Sequence, residues 1–193
     1  MNEKAPPLVG VLAVQGAFSK HCQKLKRLGI PSIAVRTSGA LRRIDALILP
    51  GGESTTMTRL LRTSGLYNAV QQFARSKPTL GTCAGCILLS AATTGTADVE
   101  PMGIIDITVQ RNAYGSQLDS FITELDWNNR KTEAVFIRAP KIIDVGPDVA
   151  VLIRYNGDPV LVRQGPAIAC SFHPELSPAA DIHELFVNSI IKQ

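Results

Sequence analysis

Short apolar runs that alternate with stretches of helical periodicity restrict this chain more than any other feature. The runs are LVGVLAV (8–14), SIAV (32–35), ALILP (46–50) and PTLGT (78–82). ALILP is apolar throughout, as expected of a strand buried on both faces rather than one. A helix is predicted from about Ser19 to Leu28, closed by Gly29 as a C-terminal cap. Further helices are predicted from about Thr55, over Leu66 to Arg75, and from Ala84 to Ala91 directly after PTLGT. Repeated strand–helix alternation implies a parallel sheet with helices on both faces.

After residue 100 the texture changes. GIIDITVQ, SFITELDW, EAVFIRAP, VAVLIRY, PVLVRQ and AIACSF read as strands joined by turns such as YNGDP (155–159), and a helix from about Pro178 to Ile191 follows. The expected fold is therefore α/β. It is a three-layer sandwich with a mixed, mainly parallel central sheet and antiparallel additions in the C-terminal half. Residues 1–193 are expected to form a single domain.

Composition removes several function classes. Apolar residues make up 45% and charged residues 19%, which suits a globular chain and not a disordered one. The net charge of +4 is spread out, and only KHCQKLKR (20–27) is dense in basic residues. That segment reads as a solvated helix face, so no nucleic-acid partner is expected. No apolar run approaches the roughly 20 residues of a membrane span, so no membrane association is expected. Four cysteines in a chain of this length do not make a disulfide framework, which points to a reducing, cytoplasmic compartment.

The chemistry gathers at GTCAGC (81–86). In open α/β sheets ligands collect at the carboxyl ends of strands, and Cys83 stands at that end of PTLGT. Gly81, Thr82, Ala84 and Gly85 around it are small, as a nucleophile on a sharp strand-to-helix turn requires. The helix start brings partial positive charge and aims the Ala84 N–H at an oxyanion formed beside the sulfur. PGGES (50–54) ends a neighbouring strand, and the Gly52 N–H is the candidate second donor.

A nucleophilic thiol needs a base, and the base an orienting group. Of the three histidines, His21 and His183 lie within predicted helices and read as surface or packing residues. His173 instead follows the strand AIACSF, in FHPEL (172–176). If that segment is extended, His173 and Glu175 point the same way, and Glu175 can accept from one imidazole nitrogen while the other faces the thiol.

PGGES, GTCAG and SFHPE, in this order, resemble the class I (triad) glutamine amidotransferases, and the resemblance spans nearly the whole chain. It implies a glutamyl thioester on Cys83, with His173 and Glu175 completing the triad, and release of ammonia from L-glutamine. GVLAVQGAF (10–18), GGESTTM (51–57), QRNAYGSQ (110–117), FIRAP (136–140) and CSFHPEL (170–176) are similar to the glutaminase-subunit branch that serves pyridoxal 5'-phosphate synthase. That branch implies a glutamine site at Gly51, Gly52, Glu53, Arg111, Ile137 and Arg138. Without the resemblance, Arg111 and Arg138 would read as surface ion-pair residues. The chain departs from the branch at Cys86, where an apolar residue such as Leu is more usual, and at Gln110 and Ala113.

The predicted glutaminase fold takes up all 193 residues, and no phosphate-binding or dinucleotide motif is present. Free ammonia is largely protonated near neutral pH, so it has to be handed directly to a synthase on another chain. The resemblance implies a (β/α)8-barrel synthase subunit, in a large hetero-oligomer on a dodecameric core, with Gln15 near the docking surface. It implies no cofactor and no metal for this chain, pyridoxal 5'-phosphate being the product of the complex. The adjacent glycines suggest that the GGES peptide reorients before Gly52 donates. Competing readings are the glutaminase of another amidotransferase, such as imidazole glycerol phosphate synthase; a thioredoxin-like protein using Cys83 and Cys86; a zinc site; and an interaction subunit without chemistry.

Overall fold

The computed structural model describes residues 5–95, 98–111 and 120–191. Its elements run β1 (Val9–Leu12), α1 (Phe18–Arg27), β2 (Ser32–Val35), α2 (Ser38–Leu41), β3 (Ala46–Leu49), α3 (Ser54–Thr63), α4 (Tyr67–Ser76), β4 (Thr79–Thr82) and α5 (Ala84–Leu89). They continue with β5 (Ser90–Thr94), β6 (Ile105–Gln110), β7 (Phe121–Trp127), β8 (Arg130–Phe136), β9 (Lys141–Val145), β10 (Ala150–Tyr155), β11 (Asp158–Gln164), β12 (Ala167–Cys170) and α6 (Asp181–Ile191).

The main sheet has the order β10-β11-β12-β4-β3-β1-β2. Its five strands from β12 to β2 are parallel, and β11 and β10 extend it antiparallel. This is the mixed, mainly parallel sheet that the apolar runs predict. The rest of the C-terminal half does not join it. β5, β6 and β9 form a separate sheet, and β7 pairs with β8 as a hairpin.

Alternation along the inner strands builds two cores. Leu47 and Leu49 of β3 face one side, with Met57, Leu61 and Val70 of α3 and α4. Ala46 and Ile48 face the other, with Leu25 of α1 and Phe186 of α6. Period-two side chains on a strand covered on both faces give this division, hence three layers.

Several elements differ from the sequence reading. The helix after Cys83 stops at Leu89, and Ser90–Thr94 turns into a strand beside β6. β9 and the single-turn α2, whose start is capped by Thr37, lack a periodicity long enough to betray them. The basic segment of α1 is not wholly solvated either. His21 and Lys24 are buried, and Lys24 donates to the carbonyls of Ser177, Pro178 and Ala179.

The strand order places the site. β12, β4 and β3 are adjacent and parallel, so their carboxyl ends bring three segments together. These are residues 171–175, Cys83 and the Pro50–Ser54 loop.

Candidate active site

Cys83 joins β4 to α5 with φ 48° and ψ −104°, in a region that non-glycine residues seldom occupy. Such a conformation costs on the order of 1–3 kcal/mol and persists only where its surroundings impose it. Here they do. The Cys83 N–H donates to Cys170 O at 2.9 Å, anchoring the turn to β12. A Cβ on Gly81 would stand 2.5 Å from the Gly85 carbonyl oxygen, and one on Gly85 would collide with the backbone of Leu49. Glycine at 81 and 85 is thus a steric necessity of the elbow. Ala84 is the first helical residue, so its N–H has no acceptor within α5.

His173 reaches the thiol from the end of β12. Phe172, fully buried, packs against Phe136 with ring centroids 5.6 Å apart, and the His173 N–H donates to Val135 O at 2.8 Å. The His173 Nδ1 lies 2.7 Å from Glu175 Oε1. The segment is not extended, as the sequence reading had it. Residues 174–176 form a turn, closed by Leu176 N–H to His173 O at 3.2 Å, and that turn swings the carboxylate under the ring. With Nδ1 on Glu175, the remaining ring nitrogen is left for Cys83, the other side-chain hydrogen-bond partner of His173.

The electrostatics are those of a coupled set. Burial alone would lower the pKa of His173, but its contacts with Cys83 and Glu175 outweigh this and raise it. Burial would raise that of Glu175; the His173 hydrogen bond and the facing His21 lower it instead. Glu175 is therefore an ionised acceptor, and His173 Nδ1 donates to it.

Cys83 and His173 line a cavity of about 220 Å³, below the roughly 300–1,000 Å³ typical of pockets for larger ligands. Gly52, Glu53, Arg111, Ile137 and Arg138, each expected there, line it together with Cys83 and His173. Gly51 does not. It is buried behind the site, where a Cβ would press on the His173 ring and stand 3.4 Å from Cys83 Cβ. It acts as the space into which the imidazole fits. Gln15, expected near a docking surface, also lines the cavity, and its Oε1 accepts from the Glu53 N–H at 3.0 Å. Sequence reasoning missed Ser54, Ile87 and Pro140 as lining residues. Ile87 follows Cys83 by one helical turn, a spacing that could have signalled it.

Glu53 and Arg111 form one unit. The Glu53 carboxylate caps α3, accepting from the N–H groups of Thr55 and Thr56 at 3.0 and 2.6 Å. Arg111 Nη2 donates to Glu53 Oε1 at 3.0 Å and Nη1 to Thr55 Oγ1 at 3.0 Å. Burial would raise the Glu53 pKa, but the bonds from Thr56 and Thr55 prevail and bring it to about 2. The ion pair that Arg111 suggests without any resemblance is real, and it sits in the cavity wall. The rest of QRNAYGSQ from residue 112 to 117, including Ala113, lies outside the described residues.

Cys86 is fully buried among the apolar residues under the sheet, and burial pushes its thiol far above the usual range. It is a packing residue. A thiol raised in this way stays protonated near neutral pH, so it is neither a nucleophile nor a metal ligand there.

Comparison with known proteins identifies the family and the fold. Residues 11–192 match the model of the SNO glutamine amidotransferase family. A pyridoxal 5'-phosphate synthase subunit PdxT from Solibacter usitatus is 47% identical over 190 residues, covering 94% of this chain and 98% of that protein. Its namesake from Oenococcus oeni is 48% identical over 181 residues, covering 93% and 94%. A solved structure described as a glutamine amidotransferase superposes with a TM-score of 0.89 at 42% identity, covering 94% and 98%. At 16% identity, a putative GMP synthase subunit from Thermoplasma acidophilum still superposes with a TM-score of 0.69, which shows a shared fold. With residues 11–192 matched and relatives 47–48% identical over nearly the whole chain, this protein belongs to the SNO glutamine amidotransferase family.

Proposed function

We propose that this chain hydrolyses L-glutamine to L-glutamate and ammonia at Cys83, as the glutaminase subunit of a pyridoxal 5'-phosphate synthase. One observation carries the reading. Cys83 sits on a strained elbow beside a 2.7 Å His173–Glu175 pair, in a cavity sized for a small ligand.

The Cys83 sulfur, its proton already held by His173, attacks the side-chain amide carbon. The N–H groups of Gly52 and Ala84 receive the oxyanion. His173 returns its proton to the amide nitrogen, the C–N bond breaks, and ammonia leaves a glutamyl thioester on Cys83. Water, deprotonated by His173, then releases glutamate. Glu175 keeps the imidazole oriented and balances its charge throughout. The ion-paired Glu53 and Arg111 offer a carboxylate and a guanidinium to the α-ammonium and α-carboxylate of the substrate, in a cavity that Ile137 and Arg138 also line.

The carbonyl of the Gly51–Gly52 peptide accepts from the Ala17 N–H at 3.3 Å, a long bond. Turning that peptide, so that the Gly52 N–H faces the oxyanion, breaks one weak interaction. Docking of the synthase subunit near Gln15 is the event that drives the turn. The synthase is a (β/α)8 barrel on a dodecameric core, the complex is cytoplasmic, and this chain needs no cofactor or metal of its own. Among the described residues no helix is long and apolar enough to cross a membrane.

The test is glutamine hydrolysis with and without the cognate synthase, comparing wild type with Cys83→Ala and His173→Asn. Both variants should fall to background in the complex, and wild type should be faster there than alone. Activity retained by Cys83→Ala overturns the reading; equal wild-type rates with and without synthase overturn the peptide turn.

A further inference from the structure

His21 and His183 are completely buried, and the reaction just described uses neither. Both stand behind the triad. His21 Nε2 lies 3.4 Å from Glu175 Oε2 and 3.4 Å from Thr82 Oγ1. His21 Nδ1 lies 2.9 Å from His183 Nε2. Glu175 Oε2, the oxygen turned away from His173, is buried without a hydrogen-bond donor at ordinary distance. The His21 nitrogen is the polar group that faces it.

The two imidazoles restrict each other's tautomers. Nitrogens 2.9 Å apart share one proton. If His21 Nδ1 carried it, the bare Nε2 lone pair would face a carboxylate. If His183 Nε2 carries it, His21 Nδ1 accepts and the His21 Nε2–H points at Glu175 Oε2. The second arrangement also leaves His183 Nδ1, which has no partner, as a bare acceptor rather than a stranded N–H. Burial holds both rings neutral, lowering His21 to about 4 and His183 to about 3. The other titratable groups facing Glu175 are His173 on its own segment, Lys24 from α1 and the Cys170 thiol from β12.

We infer that His21 is a positioning residue of the active site: its Nε2–H holds the second oxygen of Glu175, with His183 fixing the tautomer, so that Oε1 stays on His173 Nδ1. The inference rests on the assignment of Cys83, His173 and Glu175 above. α1 is thereby a brace. One turn beyond His21, Lys24 clamps the carbonyls of residues 177–179, so a single helix face holds both Glu175 and the chain that follows it.

The test compares His21→Phe, His21→Gln and His183→Phe, each with the cognate synthase, beside Cys83→Ala. His21→Phe should lower kcat about tenfold with little change in KM, because a long bond to a charged oxygen is lost. Without that donor the Glu175 carboxylate protonates more easily, so the acid limb of the rate profile should move up by about one pH unit. His21→Gln, which can both donate and accept, should restore most of the rate and the limb. His183→Phe should shift the limb the same way, by less. The pH dependence of Cys83 alkylation by iodoacetamide in the full chain alone gives a second readout if a variant docks poorly. Unchanged kcat and acid limb in His21→Phe and His183→Phe, with Cys83→Ala inactive, overturn this inference alone. An active Cys83→Ala overturns the assignment beneath it. Equal losses in His21→Gln and His21→Phe reduce the ring to packing and also overturn the inference.

Discussion

Substituting Gly51 by Ala tests whether the triad is held by shape as well as by hydrogen bonds. An added Cβ would stand 2.8 Å from His173 Nδ1 and closer still to Cε1, where ordinary contact begins at 3.4 Å. Clearing Nδ1 alone takes about 0.6 Å (3.4 minus 2.8), and clearing Cε1 takes more. The imidazole cannot retreat freely, because Glu175 holds it at 2.7 Å and the His173 N–H is fixed to Val135 O. It must slide by close to 1 Å relative to the sulfur, and a displacement of that size costs on the order of 10²-fold in rate. Gly51→Ala should therefore lower kcat by roughly two orders of magnitude and change KM far less. Steady-state glutaminase kinetics with the cognate synthase would measure this, with a melting curve to show that the fold is retained. A folded Gly51→Ala within about threefold of the wild-type kcat would refute the argument that Gly51 fixes the ring.

Arg111→Ala should act the other way, raising KM about 10- to 100-fold with a smaller effect on kcat, since charged hydrogen bonds to the bound amino acid are lost; glutamine titrations of the complex would check it. Stability should fall on acidification. His21 and His183 have folded-state values near 4 and 3, below that of a free imidazole, so from about pH 6.5 downward the unfolded chain binds protons that the folded chain refuses. The slope should approach roughly 1.4 kcal/mol per pH unit for each histidine until their folded values are reached. His173 opposes this slope near pH 6.5 and above, where the folded ring keeps a proton that the unfolded ring is losing, and drops out below about pH 5.5, where both states are protonated. Denaturant unfolding between pH 7 and 4 measures the slope, and a His183→Phe variant should flatten it.

Much of the site was legible in the chain because its demands are local. Gly81 and Gly85 flank Cys83 since any larger side chain would strike backbone at the turn. ALILP had to be an inner strand, being apolar at both parities. What escaped reading depended on contacts without a local pattern. β9 is a short, partly exposed strand that exists through its pairing with β6. His21 sits in a basic run whose composition says surface, yet the ring turns inward to meet residues more than 60 positions away. Glu175 was read into an extended segment, and a turn delivered it.

By itself the sequence determined the alternation that makes a parallel sheet, the elbow that carries one sulfur at a strand end, and the residues able to act as its base and acid partners. These follow from sterics and periodicity over a few neighbouring positions. Tertiary structure alone decided that His173 meets Glu175 through Nδ1, that Gly51 is a space and not a contact, that Arg111 pairs with Glu53, and that two buried histidines stand behind the carboxylate. Each of those depends on the adjacent carboxyl ends of β3, β4 and β12 or on helices packed over them, and distance along the chain carries no record of which atoms will face one another.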